Sequence, residues 1–231
     1  MGNTIRFYLA RWRIDRSGPG LHTATEIMDK RVALRALAAA ALIATGAAVS
    51  GCKPETSKPN FKGVDVTGAE YAKDIPLNDA DGKRRSLKDF QGKVVAVFFG
   101  YTQCPDVCPT TLQELAEVKQ QLGADGNKLV AVFVTLDPER DKPEVLKAYV
   151  ANFDASFVGL HGTEEETAAV AKDFKLFYKK VPGKTPETYT LDHSAGTYLY
   201  DTKGQLRVYE RYGGGVELLT HDVKELLKQA S

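Results

Sequence analysis

Val94-Val95-Ala96-Val97-Phe98-Phe99-Gly100-Tyr101-Thr102-Gln103-Cys104-Pro105-Asp106-Val107-Cys108-Pro109 is the stretch on which the reading of this chain turns. A short, almost wholly apolar run of this kind is a strand buried on both faces. It stops at a glycine, and two thiols follow four positions apart, each immediately before a proline. The next residues, Thr110 to Leu122, carry apolar side chains at helical spacing (Leu112, Leu115, Ala116, Leu122). The two cysteines therefore sit where a buried strand turns into a helix. In an open α/β sheet that is the carboxyl edge, where ligands and chemistry collect. Thiols placed there do redox chemistry, bind a soft metal, or both.

The remaining residues fill in one α/β domain. Asp79-Ala80-Asp81-Gly82-Lys83 is a turn between short strands, and Ser86 to Phe90 a brief helical segment. Lys128 to Leu136 is a second apolar, β-branched strand, followed by helical spacing over Asp141 to Phe153. Phe157 to Leu160 is a short strand and Thr163 to Phe174 a helix, with Thr163 as N-cap ahead of three glutamates. Thr197 to Tyr200 and Leu206 to Tyr212 alternate around Asp201-Thr202-Lys203-Gly204 as a hairpin, and an amphipathic helix through Val216, Leu219, Val223 and Leu226 closes the chain. The expected class is α/β: a thioredoxin-like fold with a central mixed sheet flanked by helices and an added hairpin.

The 231 residues suffice for one domain plus extra segments. Three cysteines are too few for a disulfide-stapled scaffold. Lys30, Arg31 and Arg35 precede an apolar run from Ala36 to Val49 that ends Val49-Ser50-Gly51-Cys52. A basic n-region, a short apolar core and small terminal residues describe an export signal. The run is too short to span a bilayer comfortably, which takes about 20 apolar residues. Its last four residues resemble a bacterial lipobox, in which the cysteine is lipidated and becomes the mature N-terminus; a retained signal anchor is the alternative. Residues 1–51 are thus expected to be a leader, with 1–27 an upstream misassignment of the start. Residues 52–64 are expected to form a lipid-anchored tether and 65–231 the domain. Without residues 1–51 the chain has 24 Lys or Arg against 27 Asp or Glu, about −3. A mildly acidic, mixed surface gives no electrostatic footprint for nucleic acid.

Both cysteines precede proline and are steered toward extended backbone. Pro109 suits the first helical position, which puts Cys108 near the N-cap and Cys104 one loop earlier. A helix N-terminus favours thiolates, lowering their pKa from about 8.5. That helps a nucleophile and a metal ligand equally. Three residues intervene between the thiols, against two in the thioredoxin-type Cys-x-x-Cys, and such a loop can close a disulfide or wrap an ion. Soft sulfur selects Cu(I), zinc or an iron–sulfur cluster, and two thiolates are too few for a cluster or a closed zinc site. Cu(I) accepts a low coordination number, so two thiolates and one imidazole suffice. Of the four histidines, His22 lies in the leader, His161 ends a strand and His221 lies in the last helix. His193 is in a polar loop, Thr190 to Ala195, just before the Thr197 strand, and in a thioredoxin-like topology that loop approaches the first helix. There is no Gly-x-Ser-x-Gly and no phosphate-cradling glycine loop.

Phe98-Phe99-Gly100-Tyr101-Thr102-x-Cys104-Pro105-Asp106-Val107-Cys108-Pro109, then Leu136-Asp137-Pro138-Glu139-Arg140-Asp141, then Asp192-His193-Ser194, resembles the Sco/SenC family, and the resemblance covers roughly Ile75 to Leu227. It implies a membrane-tethered, thioredoxin-fold copper protein that assists assembly of the binuclear copper A site of cytochrome c oxidase. By resemblance Cys104, Cys108 and His193 are the copper ligands, for Cu(I) and, with an extra ligand, Cu(II). By the same resemblance the two cysteines interconvert between dithiol and disulfide. Asp137 and Asp141 match the family's acidic pair, orienting groups behind the ligands or helping a partner dock; a plain helix cap is the alternative for Asp137-Pro138. The implied partners are the copper A subunit of the oxidase, other copper chaperones and thiol–disulfide reductases. The expected location is membrane-anchored and facing the bacterial periplasm. Many family members keep a transmembrane helix where this chain has a lipobox-like end. Two rival readings use the same thiols: a thiol–disulfide oxidoreductase that reduces the acceptor's cysteines, and a redox or copper sensor.

Overall fold

The computed structural model describes residues 59–185 and 188–229. The leader, Cys52 and most of the expected tether lie outside the described residues. Among the described residues ten strands run in chain order: β1 (Val64–Asp65), β2 (Leu77–Asp79), β3 (Arg84–Arg85), β4 (Val94–Gly100), β5 (Leu129–Thr135), β6 (Val158–His161), β7 (Tyr178–Val181), β8 (Thr190–His193), β9 (Thr197–Tyr200) and β10 (Leu206–Glu210). Four α-helices accompany them: α1 (Val107–Gln121), α2 (Pro143–Ala151), α3 (Glu164–Asp173) and α4 (Gly215–Lys228).

Eight strands form one sheet in the order β1-β10-β9-β4-β5-β6-β2-β3. β4, β5 and β6 are parallel, joined through α1 and α2, while β9 on one side and β2 on the other pair antiparallel. The sheet is thus mixed and helix-flanked, as expected, with antiparallel strands on both flanks. All seven residues of β4, and all seven of β5, are buried. Their side chains alternate between two cores. Val95, Val97 and Phe99 join Val170, Ala171 and Phe174 from the α3 side. Val94, Ala96 and Phe98 join Leu112, Leu146 and Val223 from α1, α2 and α4. Burying each such side chain is worth roughly 1.5–3 kcal/mol, so the two central strands are fixed between two apolar layers. Chemistry is confined to where they end.

Three local expectations change. First, α1 starts at Val107 with Asp106 as its N-cap, not after Cys108. Pro109 is then the third helical residue, which is tolerated because the first four helical N–H groups have no partner within the helix. Cys108 is therefore helical rather than extended. Second, Thr190 to His193 is a strand, not a loop. It pairs antiparallel with β7 in a separate two-stranded sheet, with Tyr178 opposite His193. Each strand has four residues and shows little apolar periodicity, so the pairing left no pattern in the sequence. Third, the end of the stretch read as a tether is held on the domain. Asp222, fully buried on α4, accepts the Lys62 and Gly63 N–H groups at 2.8 Å each, and Val64 pairs with Tyr209.

Beside Asp222 lies a second buried acid, Glu210 at the end of β10. A Cβ on Gly63 would stand 2.5 Å from Glu210 Oε2, so the entering chain runs directly over this carboxyl group. Burial, then the neighbouring Asp222 carboxylate, pushes the Glu210 pKa up to about 8 from its ordinary 4.5. Asp222 moves the other way: burial opposes ionisation, but His221 and the two backbone donors outweigh it. Between those two pH values folded Glu210 retains a proton that the unfolded chain has released. Its contribution to stability is present at low pH and is lost as pH rises toward 8. Glu210→Gln cannot ionise. It is expected to flatten the fall in melting temperature between about pH 5 and 8 and to unfold above the wild type at the alkaline end. Parallel pH profiles for the two proteins would contradict this.

Candidate metal centre

The loop between Gly100 and α1 is shaped before any thiol chemistry is considered. Leu136 N–H donates to the Gly100 carbonyl at 2.7 Å, extending the β4–β5 pairing by one bond. Beyond that the strands separate, and Asp141 fills the gap. Its carboxylate accepts the Thr102 N–H at 3.0 Å and the hydroxyls of Thr102 and Thr135 at 2.5 Å each. Asp141 is 1% exposed. Burial raises its pKa, and these donors oppose the rise. The chain then turns back, with the Cys104 N–H donating to the Tyr101 carbonyl at 3.2 Å.

The thiols meet at the start of α1. The Cys108 N–H donates to Cys104 Sγ at 3.4 Å, and Cys108 Sγ lies 3.8 Å from His193 Nε2. Among the described residues, Cys104, Cys108 and His193 form a group whose donor atoms all lie within 4.8 Å of one another. His193 Nδ1 is 3.0 Å from the Ser194 carbonyl oxygen. A carbonyl can only accept, so Nδ1 carries the proton, and in the neutral ring Nε2 presents its lone pair to the sulfurs. The rings of Phe98 and Tyr101 flank the imidazole edge-on at 6.2 Å.

The sulfurs are inequivalent. Cys104 is partly exposed and Cys108 fully buried. A hydrogen bond from the Cys108 thiol, helped by the backbone N–H groups of Asp106 and Cys108, lowers the Cys104 pKa to about 4 against the opposing effect of burial. The same shared hydrogen bond, followed by burial, drives Cys108 strongly upward. The resting dithiol is one thiolate and one thiol. Space for the thiol depends on Gly100: a Cβ there would stand 2.6 Å from Cys108 Sγ and 2.9 Å from the Phe133 ring.

The structure brings together the two cysteines and His193. It leaves His161 at the end of β6 opposite Asn78, and His221 on α4 bonded to Asp222. Asp137 and Asp141 are absent from the donor group, and α2 is capped at Lys142 rather than by Asp137. Asp137 is fully buried and accepts Arg140 Nε at 2.5 Å and the Tyr189 hydroxyl at 2.6 Å. Arg140 and Tyr189 were not singled out in the sequence. The position of Arg140 between the two acids was the one available signal for it, and nothing marked Tyr189.

A buried strand, a thiol pair at the first turn of the following helix and an imidazole ahead of the next antiparallel strand define a thioredoxin-like thiol–imidazole protein. The family is SCO1/SenC: its sequence profile matches residues 65–228, and the chain belongs to it. A "SCO2-like protein" of Rickettsia felis is 39% identical over 133 residues, 57% of this chain and 65% of that protein's length. The chain thus spans somewhat under two thirds of that relative. The solved structure of Bradyrhizobium japonicum ScoI with copper bound is 40% identical, covers 67% of this chain and 98% of its own, and superposes with a TM-score of 0.61. BsSco, described as a Sco family cytochrome c oxidase assembly protein with a disulfide switch, shares the fold at 24% identity and a TM-score of 0.55, over 74% of this chain and 99% of its own.

With Cys104 ionised above about pH 4, iodoacetamide should label it at a nearly constant rate from pH 8 down to about 5, and Cys108 should resist. Cys108→Ala removes the S–H donor and should raise the labelling midpoint of Cys104 toward the ordinary thiol value of about 8.5. A wild-type rate that falls tenfold per pH unit below pH 8 would show that the thiolate is not held.

Proposed function

We propose that this protein is a copper-binding assembly factor. It would hold Cu(I), and Cu(II) with an added ligand, through Cys104, Cys108 and His193, and hand it to the copper A subunit of cytochrome c oxidase. The observation that carries this reading is the convergence of two sulfurs and an imidazole lone pair within 4.8 Å. Donors at roughly 2.0–2.3 Å from one ion stand no more than about 4.6 Å apart. Three donors spread evenly around the ion would stand about 3.5–4.0 Å apart, so closing the widest pair by up to about 1 Å suffices. Two sulfurs and one nitrogen are too few for a closed zinc site and suit a soft ion of low coordination number. Support also comes from membership of the SCO1/SenC family and from ScoI, solved with copper bound. Copper is here the cargo, and the protein's own part is to present a thiolate, a thiol and a lone pair in fixed geometry.

The sequence pattern of the expected leader supports the location. Export across the cytoplasmic membrane and lipidation of Cys52 would leave the domain facing the periplasm, with residues from Cys52 to about Asn60 as its tether. Among the described residues no helix is long and apolar enough to cross a membrane. Other copper chaperones would load the site, and thiol–disulfide reductases would keep it reduced.

A second reading is favoured by the inequivalent thiols. The Cys104 thiolate would attack an acceptor disulfide, and Cys108 would resolve the mixed disulfide. Two electrons then pass to the acceptor, and an external dithiol must reset the pair. His193 separates the readings, because a dithiol reductase has no need of that imidazole as a ligand. Anaerobic Cu(I) titration of the wild type is expected to show one equivalent bound, with affinity lost in Cys104→Ala, Cys108→Ala and His193→Ala. Binding that survives loss of either cysteine would sink the copper site. Unchanged affinity in His193→Ala would leave the reductase as the better account.

A further inference from the structure

We infer that Arg140 is the positioning residue that docks the imidazole-bearing strand onto the thiol loop. Resting on the three-donor copper site proposed above, this makes Arg140 a determinant of the site's affinity although it contributes no donor. The need for such a residue comes from topology. The cysteines lie on the frame, at the end of β4 and the start of α1. His193 ends β8, which belongs to the separate two-stranded sheet and has no strand partner in the main one. Burial of Leu191 supplies adhesion. Apolar contact is non-directional, however, and it does not fix where the ring at 193 points.

Several directional contacts reach the frame, among them Lys180 Nζ to Glu139 Oε2 at 2.6 Å and the Tyr189 hydroxyl to Glu139 Oε2 at 3.1 Å, but Arg140 is the side chain that reaches the thiol loop and the start of β8 together. Arg140 Nη1 donates to the Tyr189 carbonyl at 2.9 Å, one residue before β8, and to Gln103 Oε1 at 3.1 Å, one residue before Cys104. Its guanidinium carbon lies 3.6 Å from the centre of the Tyr189 ring and 5.8 Å from that of Tyr101. Asp137 completes the clamp, accepting from Arg140 Nε and from the Tyr189 hydroxyl on its two oxygens. One planar cation therefore reaches the approach to the thiols and the approach to the imidazole together. A lysine has neither the fork nor the plane, so charge alone does not reproduce the clamp.

The test uses the full chain with Arg140→Ala, Arg140→Lys, His193→Ala and the Arg140→Ala/His193→Ala double variant. Buffered Cu(I) is the probe, set against amide hydrogen exchange at Leu191, Asp192 and His193 without metal. Loss of a group that orients a ligand typically costs about 10–100-fold in metal affinity. Both Arg140 variants are expected to lose that much. The double variant should lose no more than His193→Ala, because Arg140 acts through the imidazole. Without metal, the three β8 amides should exchange faster in both Arg140 variants. Losses that multiply in the double variant, full affinity in Arg140→Lys, or unchanged β8 exchange would each overturn the inference. If His193→Ala itself leaves Cu(I) affinity unchanged, the copper reading falls, and the exchange data alone decide whether Arg140 docks β8.

Discussion

The carboxylate of Asp141 is the interaction on which the rest of the site depends. A buried carboxylate is tolerated only if its lone pairs are met, and this one takes three hydrogen bonds, two from Thr102 and one from Thr135. Those residues follow β4 and end β5, so one acid joins two parallel strands where their own pairing stops. The join fixes where the loop leaves the sheet, and from there Cys104 and the first turn of α1. None of these bonds involves the thiols. The frame is therefore set by groups outside the donor set, which is what preorganisation requires.

On that frame the two thiols differ by environment rather than by chemistry. One is partly exposed and takes hydrogen bonds from backbone and thiol; the other is packed against the end of β4 and keeps its proton. A cation entering among them must release the Cys108 proton, so capture is coupled to proton release and weakens in acid. The same asymmetry suits disulfide exchange, with an accessible nucleophile and a sheltered resolving thiol. Metal handling and electron handling are thus two uses of one electrostatic arrangement, and the imidazole is the part needed by only the first.

How much of this was legible in the sequence depends on how far each feature spreads along the chain. The strands through Val94 and Leu129 announce themselves because both faces are buried, so the apolar run is unbroken. The N-cap at Thr163 was legible because a capping box is local: its hydroxyl accepts the Glu166 N–H three residues on. The start of α1 was misread because proline is permitted throughout the first helical turn and not only at its first position. The β7–β8 ladder was invisible because it depends on backbone pairing between short polar segments. His193 was found through its place ahead of β9, whereas its tautomer depends on the ring turning onto the carbonyl of the next residue, Ser194, an orientation the sequence does not show. Asp137 and Asp141 were visible as a pair, but their separate tasks, one toward the thiol loop and one toward Arg140 and Tyr189, needed coordinates.

Gly100 carries a consequence that a reader of substitution tables would overlook. By pattern it is the last residue of a core strand, where exchange for alanine ordinarily counts as mild. Here the missing methyl group is the berth of the Cys108 sulfur, 2.6 Å from where a Cβ would stand. Glycine and alanine codons differ by a single base, so the smallest genetic step available at this position falls directly on the metal centre. In a clinical or environmental variant survey, a change at residue 100 belongs with changes at the cysteines themselves, and not with those of the hydrophobic strand that contains it.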